Sequence, residues 1–409
     1  MNAAQESFGS GEPRVRSTGG RLIGSLLRAF GNPPVALVLA SGERIAPAGG
    51  EAVATVRFRD RGVPLALARD PHLGFGDLYS EGRIEIEGDP VRLLEAVYRA
   101  SARAESRSSL LRKLSGALHR PRRNSLAGSR DNIHHHYDIG NEFYTLWLGP
   151  TMAYTCAYYP TESTTLDEAQ VAKMDHVCRK LRLKAGETVV EAGFGWGTLA
   201  LHMAKHYGVK VRAFNISHEQ VCYARERAAA EGLAERVEYV EDDYRNISGR
   251  YDAFVSVGML EHVGVENYPA LGEVAQRSIG PNGRGLIHSI GRNHPARLHR
   301  WIERRIFPGA EPPSLKQMMD IFEPWDLSVL DVENLRLHYA RTLTHWLELF
   351  ETNVERVRGM FDEKFVRMWR LYLVGSIAAF TTGTLQLFQV VFAPRQNNDI
   401  PATRAHLYT

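Results

Sequence analysis

The chain has 409 residues, of which 44% are hydrophobic and 24% are charged, so it is long enough for two or three domains with cores of their own. Its 50 lysine and arginine residues against 47 aspartate and glutamate residues leave a net charge of +3, which excludes a polymer that coats nucleic acid. The charge is uneven, because residues 1–130 contain 20 basic and 13 acidic side chains. The excess positive charge therefore lies in the first third of the chain.

The N-terminal third predicts a flexible tail followed by a small domain. Residues 1–20 are rich in glycine, serine and arginine, which is typical of a mobile tail, and they contain no apolar core of a secretion signal. A short amphipathic stretch covers residues 22–30. Three segments of β-formers, at 35–40, 52–58 and 83–88, are separated by turn residues and precede a helix-like run at 90–102. Residues 21–105 therefore predict a small α+β domain.

A basic segment separates this domain from the rest of the chain. Residues 99–130 contain nine lysine or arginine residues and one acidic residue, interrupted by Pro121 and Gly128. We interpret residues 106–130 as a basic linker. It serves either as a solvated hinge or as a surface that meets anionic lipid headgroups.

Residues 131–409 alternate between helical and strand patterns. This alternation predicts an α/β domain with a doubly wound, mainly parallel sheet and a ligand site beyond the carboxyl ends of the strands. Predicted helices cover residues 166–181, 198–207 and 218–231, and predicted strands cover 187–193, 209–215, 236–243, 251–258 and 283–291. The uncharged stretch 371–393 is long enough for a membrane span, but polar side chains interrupt it. We expect a buried helix, a turn and a strand there.

The three cysteines give no sign of a disulfide framework or a zinc site. Cys156, Cys178 and Cys222 are too far apart in sequence to show the ligand spacing of a zinc motif. Three adjacent histidines, residues 134–136, point in different directions and are a poor chelating set. We therefore predict no metal, and a reducing, cytoplasmic environment.

The strongest local motif is a glycine-rich turn between a predicted strand and a predicted helix. It consists of one acidic residue and three glycines at alternate positions: Glu191, Gly193, Gly195 and Gly197. The spacing differs from that of a dinucleotide-binding turn, and no Walker lysine follows. The turn resembles motif I of S-adenosylmethionine-dependent methyltransferases, which implies that the glycines make room for the cofactor.

Polar side chains at the ends of the next two strands suit the cofactor's nucleoside. At the second strand they are Asn215 and Gln220, and at the third they are Asp243, Tyr244 and Arg245. Any one of them taken alone is better explained by a surface turn.

Several segments outside the sheet resemble the cyclopropane-fatty-acyl-phospholipid synthases and the related mycolic acid methyltransferases. The segments are residues 134–144, 153–159, 255–264 and 288–291, the sequence around Tyr339, and the aromatic segments near the C-terminus. The resemblance covers about residues 131–395. Residues 35–105 are more weakly similar to the N-terminal lipid-binding domain of the bacterial synthases.

The resemblance implies a chemistry and a set of catalytic residues. Only an activated methyl group alkylates an isolated double bond, and ring closure then needs a base that removes a proton from the added methyl group. In the resembling family a bound bicarbonate is this base. The residues implied to hold it are Cys156, Glu261, His288, Ile290 through its backbone, and Tyr339. Tyr154 and Thr155, with residues 134–137, are implied to cover the cofactor, and the rings of Phe143 and Tyr158 are candidates to stabilise a cation.

Two aromatic residues depart from the family's pattern. Phe194 stands in the glycine turn where cysteine is commoner, and Phe214 ends the second strand where the family favours an aliphatic residue; Ala192 and Asn215 also differ from its usual residues. These changes lie on the cofactor side of the predicted site, so they put the affinity for the cofactor in doubt. They leave open a methyltransferase with a changed product and a lipid-binding protein whose catalytic domain has decayed.

The sequence therefore predicts an S-adenosylmethionine-dependent enzyme that forms cyclopropane rings in unsaturated phospholipid acyl chains. The leading alternative keeps donor and substrate but yields a methyl- or methylene-branched chain, with a partner reductase for the methyl-branched product. A small-molecule N- or O-methyltransferase would not require the implied catalytic set. We expect a cytoplasmic protein, attached to the inner face of the membrane through its basic first third and residues such as Arg300, Arg304 and Arg305, with no nucleic-acid partner. The resemblance also implies a homodimer.

Overall fold

The structure is a computed structural model that describes residues 17–107 and 139–408. The chain divides into two compact units, residues 1–104 and residues 105–409. Most of the predicted tail and of the predicted basic linker lies outside the described residues, as does the histidine-rich segment 134–137.

The first unit is a small α+β fold, as predicted. Its sheet has the order β2-β1-β3-β4, in which β1 and β3 are parallel and the other pairs are antiparallel. Its strands are β1 (Ala36–Val38), β2 (Arg44–Ile45), β3 (Ala54–Phe58) and β4 (Ile84–Gly88), and its helices are α1 (Thr18–Ala29), α2 (Val63–Arg69), α3 (Pro71–Ser80) and α4 (Pro90–Arg107).

Two features of this unit differ from the sequence prediction. Helix α1 begins at Thr18, where the Ser17 hydroxyl accepts a hydrogen bond from the Gly20 N–H, so residues 18–20 belong to a helix and not to the tail. Helices α2 and α3 were not predicted. Each carries a proline in its first turn, where the missing N–H costs nothing, and both are too short to show a clear helical period.

The second unit is built on a seven-stranded sheet of order β10-β11-β9-β8-β5-β6-β7. Every strand runs in one direction except β11, which is antiparallel to both of its neighbours. The strands are β5 (Thr188–Ala192), β6 (Lys210–Asn215), β7 (Val237–Glu241), β8 (Tyr251–Val257), β9 (Ile279–Gly291), β10 (Leu327–Asn334) and β11 (Gln386–Pro394). This is the doubly wound, mainly parallel sheet that the sequence predicted.

Helices pack on both faces of this sheet. They are α5 (Asn141–Leu148), α6 (Leu166–Lys180), α7 (Thr198–Tyr207), α8 (His218–Ala230), α9 (Tyr268–Ser278), α10 (Arg300–Arg305), α11 (Leu315–Phe322), α12 (Arg336–Thr352), α13 (Val354–Met360) and α14 (Glu363–Thr382). The predicted helices α6, α7 and α8 agree with the structure to within a residue at each end. Strand β10 was not predicted, because it lies at the edge of the sheet and has only one fully buried residue, Leu327.

The uncharged stretch 371–393 forms the buried end of α14, a turn at Gly383 and the buried strand β11, as predicted. Gly383 ends the helix with φ +78°, a conformation that glycine adopts without a steric penalty. Within the described ranges, no helix combines the length and the apolar character needed to cross a membrane.

Candidate active site

The glycine turn after β5 brings the backbone close to neighbouring elements. Gly193 and Gly197 both have φ +81°, and a Cβ atom on Gly193 would lie 2.7 Å from the Met259 Cβ. A Cβ on Gly197 would lie 2.5 Å from the Tyr239 hydroxyl oxygen. At Gly195, by contrast, an added Cβ would meet open space. Two of the glycines are thus required by packing, and the middle one faces space that a ligand can fill.

Two buried ionisable side chains lie near this turn: Glu191, two residues before Gly193, and Lys173. The Glu191 side chain is almost fully buried at the end of β5, which raises its pKa because burial disfavours the charged carboxylate. Burial likewise lowers the pKa of Lys173 on α6, and the two opposite charges stabilise each other. The Lys173 ammonium donates a hydrogen bond of 2.8 Å to the Thr155 hydroxyl. Sequence reasoning missed Lys173, since one lysine in an amphipathic helix ordinarily faces solvent.

Asn215 and Gln220 meet at the end of β6. The Asn215 amide nitrogen donates to the Gln220 side-chain oxygen over 2.8 Å and to the carbonyl of Gly195 over 3.3 Å. The pair therefore connects the second strand to the glycine turn. The structure brings these two predicted cofactor residues together with the predicted glycines.

The third strand presents its polar residues differently. The Asp243 carboxylate accepts hydrogen bonds from the Arg245 backbone, over 2.9 Å, and from the Arg245 guanidinium, over 2.8 Å. Tyr244 packs into the hydrophobic core with Phe214 and Phe254, and burial raises its pKa to about 12. Asp243 and Arg245 thus pair with each other, and the Tyr244 ring is part of the core.

The residues around the turn fit a cofactor with both donors and acceptors. Glu191 Oε2 and Gln220 Nε2 are buried, and neither has a hydrogen-bond partner among the residues that the structure describes. A buried polar atom without a partner costs free energy, so these atoms point to a ligand that supplies the missing bonds. The ammonium, carboxylate and ribose hydroxyls of S-adenosylmethionine offer such groups.

Glu261 anchors a second cluster beyond β8 and β9. Its Oε1 accepts a hydrogen bond of 2.5 Å from the Ile290 backbone N–H. Burial raises the pKa of Glu261 to about 7, despite the backbone hydrogen bonds that lower it. Its Oε2 is buried without a hydrogen-bond partner in the described part of the chain. The Ile290 N–H, predicted to hold an anion, instead holds Glu261 in place.

His288 lies two residues before Ile290 on β9. Its Nδ1 is 3.0 Å from the side-chain amide nitrogen of Gln389 on β11. Burial lowers the pKa of His288 to about 3, and the nearby Lys173 and Lys180 add to this effect, so the imidazole is neutral near pH 7. Gln389 was not singled out from the sequence, because a glutamine in an apolar strand gives no local signal of a partner.

Cys156 and Tyr339 both lie near the carbonyl of Leu335, just before α12. The Cys156 thiol donates to the carbonyl of Ala157 over 3.1 Å and lies 3.9 Å from that of Leu335. The Tyr339 N–H donates to the same Leu335 carbonyl over 3.1 Å. Burial raises the pKa of Cys156, which keeps it a thiol.

Backbone pairing links these catalytic candidates. Ile290 is the register partner of Leu387, and the Leu387 carbonyl accepts a hydrogen bond of 2.9 Å from the Leu335 N–H. The segment just before α12 is therefore hydrogen-bonded to β11. The neighbouring strand β9 carries His288 and the Ile290 N–H that binds Glu261. Glu261 contacts Ile290 directly, whereas Cys156 and Tyr339 are connected to this pair through the backbone.

The segment before Cys156 joins a cluster of aromatic rings. The Tyr154 hydroxyl lies 2.8 Å from the Tyr372 hydroxyl, and the Tyr154 ring centre is 5.1 Å from that of Trp147 and 5.4 Å from that of Trp346. These contacts hold the loop that carries Thr155 and Cys156. Residues 134–137, which were predicted to cover the cofactor, lie outside the described residues.

The two rings proposed to stabilise a cation, those of Tyr158 and Phe143, pack against other aromatic side chains. Tyr158 stacks against two imidazole rings, with 4.3 Å to His176 and 4.8 Å to His338 between ring centres. Phe143 is completely buried and packs edge-on against Trp369 at 4.9 Å. The prediction that these rings are open to a passing cation is wrong.

In the ranges 17–107 and 139–408, no group of three histidine, cysteine or acidic residues is arranged to hold a metal ion.

The two unusual aromatic residues lie in the core. Phe194 packs against Tyr239 with 4.7 Å between ring centres, and Phe214 belongs to the core cluster on the other face of the sheet. Side chains alternate along a strand, so burial of Phe214 leaves Asn215 at the site. The reason for suspecting weak cofactor binding or a decayed domain is thereby removed.

Comparisons with known proteins agree with this geometry. A family model described as mycolic acid cyclopropane synthetase matches residues 124–390. A probable fatty acid methyltransferase of Pseudomonas putida is 38% identical over 347 residues, which is 81% of this chain and 86% of that protein. The cyclopropane-fatty-acyl-phospholipid synthase of Escherichia coli K12 is 38% identical over 270 residues, covering 66% of this chain and 69% of that protein.

Two further matches extend the comparison. A tuberculostearic acid methyltransferase of Mycobacterium tuberculosis is 33% identical over 381 residues, covering 89% of this chain and 88% of its own. The crystal structure of mycolic acid cyclopropane synthase CmaA1 with SAH and CTAB covers 64% of this chain and 97% of its own, at 28% identity and a TM-score of 0.62. The glycine turn, the buried Glu261 and these matches lead to one conclusion: the chain belongs to the mycolic acid cyclopropane synthetase family and is an S-adenosylmethionine-dependent methyltransferase.

Proposed function

We propose that the enzyme adds a methylene group to the cis double bond of unsaturated phospholipid acyl chains and so forms cyclopropane fatty acids. The observation that carries this proposal is the Glu261 carboxyl group, buried next to β9 with one oxygen bound by Ile290 and the other without a hydrogen-bond partner among the described residues. An amine or hydroxyl nucleophile itself carries the proton that is lost on methylation, so it needs no base held next to the transferred methyl group. The Escherichia coli relative is named a synthase of cyclopropane fatty acyl phospholipids.

The chemistry requires both a methyl donor and a base. When bound, S-adenosylmethionine supplies an electrophilic methyl group. The electron pair of the double bond forms a new carbon–carbon bond to this methyl as the sulfur–carbon bond breaks, which leaves a cation on the adjacent acyl carbon. Loss of a proton from the new methyl group then provides the electron pair that closes the ring. A base must therefore lie within a few ångströms of the added carbon.

We propose that this base is a bicarbonate bound between Glu261, His288, Cys156 and Tyr339. A carboxyl group whose pKa is raised to about 7 is partly protonated near neutral pH, and its Oε2 then donates a hydrogen bond to an anion. The neutral imidazole of His288 and the hydroxyl of Tyr339 are further donors. Ile290 orients Glu261 in this arrangement, because its N–H is already donated to Oε1.

The acyl chain has to reach the site from a bilayer, and we propose peripheral attachment to the cytoplasmic face of the membrane. The basic first third of the chain and the exposed Arg300, Arg304 and Arg305 of α10 supply positive charge for anionic headgroups. The segment that follows α10 reaches the site directly: Phe307 packs on Tyr372 at 5.5 Å between ring centres, and the Glu311 N–H donates to the Glu261 carbonyl over 2.7 Å. A homodimer formed through the N-terminal unit remains part of this proposal.

A labelling experiment tests the substrate and the transfer. Purified protein is incubated with methyl-labelled S-adenosylmethionine and vesicles of a monounsaturated phospholipid, and the hydrolysed acyl chains are identified by mass spectrometry. We expect a gain of one CH₂ with loss of the double bond, and no label in saturated vesicles. Glu261→Gln and His288→Ala should reduce turnover at least about 100-fold with SAH affinity within about threefold. Label in saturated chains, or unchanged turnover in these variants, would contradict the proposal.

A second candidate function is methyl transfer that ends in a methyl- or methylene-branched acyl chain. The relative that matches 81% of this chain is named a probable fatty acid methyltransferase, and the relative that matches 89% is named a tuberculostearic acid methyltransferase. This route shares the first bond-forming step and differs in how the cation is quenched. A methyl-branched product also needs hydride from a partner reductase, so the purified protein alone would yield at most an unsaturated, methylene-branched chain.

A further inference from the structure

Gln389 and His288 face each other across the antiparallel pair β9–β11. They are register partners, and both side chains are buried. Directly opposed residues in such a pair project to the same face of the sheet, so the contact is built into the strand register. The distance from the Gln389 amide nitrogen to His288 Nδ1 is 3.0 Å, which is a hydrogen bond.

With the amide nitrogen of Gln389 facing His288, the chemistry of the two side chains determines where the imidazole proton lies. An amide nitrogen donates hydrogen bonds and does not accept them, so Nδ1 of His288 has to be the acceptor. A buried imidazole without an acidic partner is neutral and carries one proton. With Nδ1 as the acceptor, that proton is on Nε2. The hydrogen bond to His288 is made by the amide nitrogen of Gln389, and the Gln389 side-chain oxygen is buried and makes no hydrogen bond within the described residues.

We propose that Gln389 is a positioning residue that holds His288 in the Nε2–H tautomer, so that the imidazole offers a hydrogen-bond donor to the anionic base. The inference rests on the proposed function, because a donor is useful only where an anion binds. The opposite tautomer would turn the Nε2 lone pair towards the same anion and repel it. Gln389 thus makes Nε2 of His288 a hydrogen-bond donor to the anion, and it prevents Nε2 from acting as a general base.

The tautomer can be measured without substrate. The protein is labelled with ¹⁵N-histidine, and the His288 signals are assigned by their loss in His288→Ala. We expect a protonated Nε2 and an unprotonated, hydrogen-bonded Nδ1 in the unmodified protein. In Gln389→Glu, the new carboxylate accepts a hydrogen bond from Nδ1–H and so favours the tautomer with the proton on Nδ1, and the Nδ1 signal should become that of a protonated nitrogen. Gln389→Leu should lose the hydrogen-bond shift at Nδ1.

Gln386 provides a matched control on the same strand. It is also a buried glutamine, and it donates to the carbonyl of Gly383 over 2.7 Å, away from His288. Gln386→Leu removes a similar buried amide but should leave the ¹⁵N signals of His288 unchanged. A change of equal size in this control would show that Gln389 acts only through general packing.

Turnover completes the test. In Gln389→Glu we expect kcat to fall at least about 100-fold, as when a catalytic histidine is held in the wrong tautomer, while SAH affinity stays within about threefold. A protonated Nδ1 in the unmodified protein, or a switched tautomer with unchanged kcat, would overturn the inference. Failure of the proposed function is seen separately, as an absent cyclopropane product from a protein that shows the expected tautomer.

Discussion

The backbone N–H of Ile290 holds Oε1 of Glu261 at 2.5 Å, and this hydrogen bond fixes a carboxyl group in a site where it is almost completely buried. The hydrogen bonds that Glu261 accepts lower its pKa but do not offset the desolvation of the charge, so the pKa of Glu261 rises from 4.5 to about 7. The protein therefore keeps a proton on this group under conditions in which the unfolded chain would release it. Function is the evident reason to keep so costly a group.

The raised pKa of Glu261 predicts a pH-dependent cost to stability. Between pH 4.5 and about 7 the unfolded chain releases the proton and the folded protein retains it, so the free energy of unfolding falls as pH rises through this window. Above about pH 7 the full cost, of the order of 3 kcal/mol, is present. Glu261→Gln does not titrate and should be more stable than the unmodified protein near pH 8, with the difference shrinking towards pH 5. Urea unfolding of both proteins at pH 5 and pH 8 measures this difference in the free energy of unfolding. A Glu261→Gln variant that is less stable than the unmodified protein at pH 8 would argue against burial of the Glu261 charge as its cause.

Lys173 is predicted to support cofactor binding. Lys173→Met removes the hydrogen bond to Thr155 and leaves Glu191 buried without its cation, so the pKa of Glu191 should rise further. We expect the Kd for SAH, measured by calorimetry, to increase at least about tenfold. Lys180→Met is the matched control, because Lys180 is buried on the same helix but pairs with Glu333 at 2.6 Å. Equal losses of affinity in the two variants would show a general effect of losing a buried lysine.

Phe194 is predicted to matter for stability and not for the cofactor. Phe194→Cys introduces the residue that is commoner in the family and removes a ring packed against Tyr239. We expect a loss of about 2–4 kcal/mol in the free energy of unfolding, from lost burial and the cavity left behind. The Kd for SAH should stay within about threefold. A marked gain in affinity with unchanged stability would place Phe194 at the cofactor after all.

Membrane attachment is predicted to depend on salt and on α10. Binding to vesicles with anionic lipids should weaken as the salt concentration rises, because exposed charges are screened. Replacing Arg300 and Arg304 with glutamate should weaken binding by at least about 1 kcal/mol per charge, as measured by co-sedimentation. Arg236→Glu is the control, since Arg236 is exposed just before β7, at the amino end of the parallel strands. Binding that is independent of salt would rule out the electrostatic contribution.

The sequence predicted most of the catalytic unit's sheet because its parallel strands are short runs of β-forming residues that alternate with helical patterns. Glu191 and the glycines were recognisable for a similar reason, since a strand, a turn and a helix are contiguous in sequence. Strand β10 escaped prediction because an edge strand is only partly buried. Lys173 and Gln389 also escaped, since their partners, Thr155 and His288, are distant in sequence. The positions of Phe194 and Phe214 became clear only when the structure showed which face of the sheet each residue occupies.

The most direct test of the central claim is the fate of a trideuterated methyl group. Purified protein is given S-adenosylmethionine with a CD₃ group and vesicles of a monounsaturated phospholipid, and the deuterium in the product is counted by mass spectrometry. Proton loss from the added methyl group predicts two retained deuterium atoms in a saturated cyclopropane chain. Three retained deuterium atoms in an acyl chain that still holds a double bond, as expected if the proton is lost from the chain instead, would contradict a site built to deprotonate that methyl group.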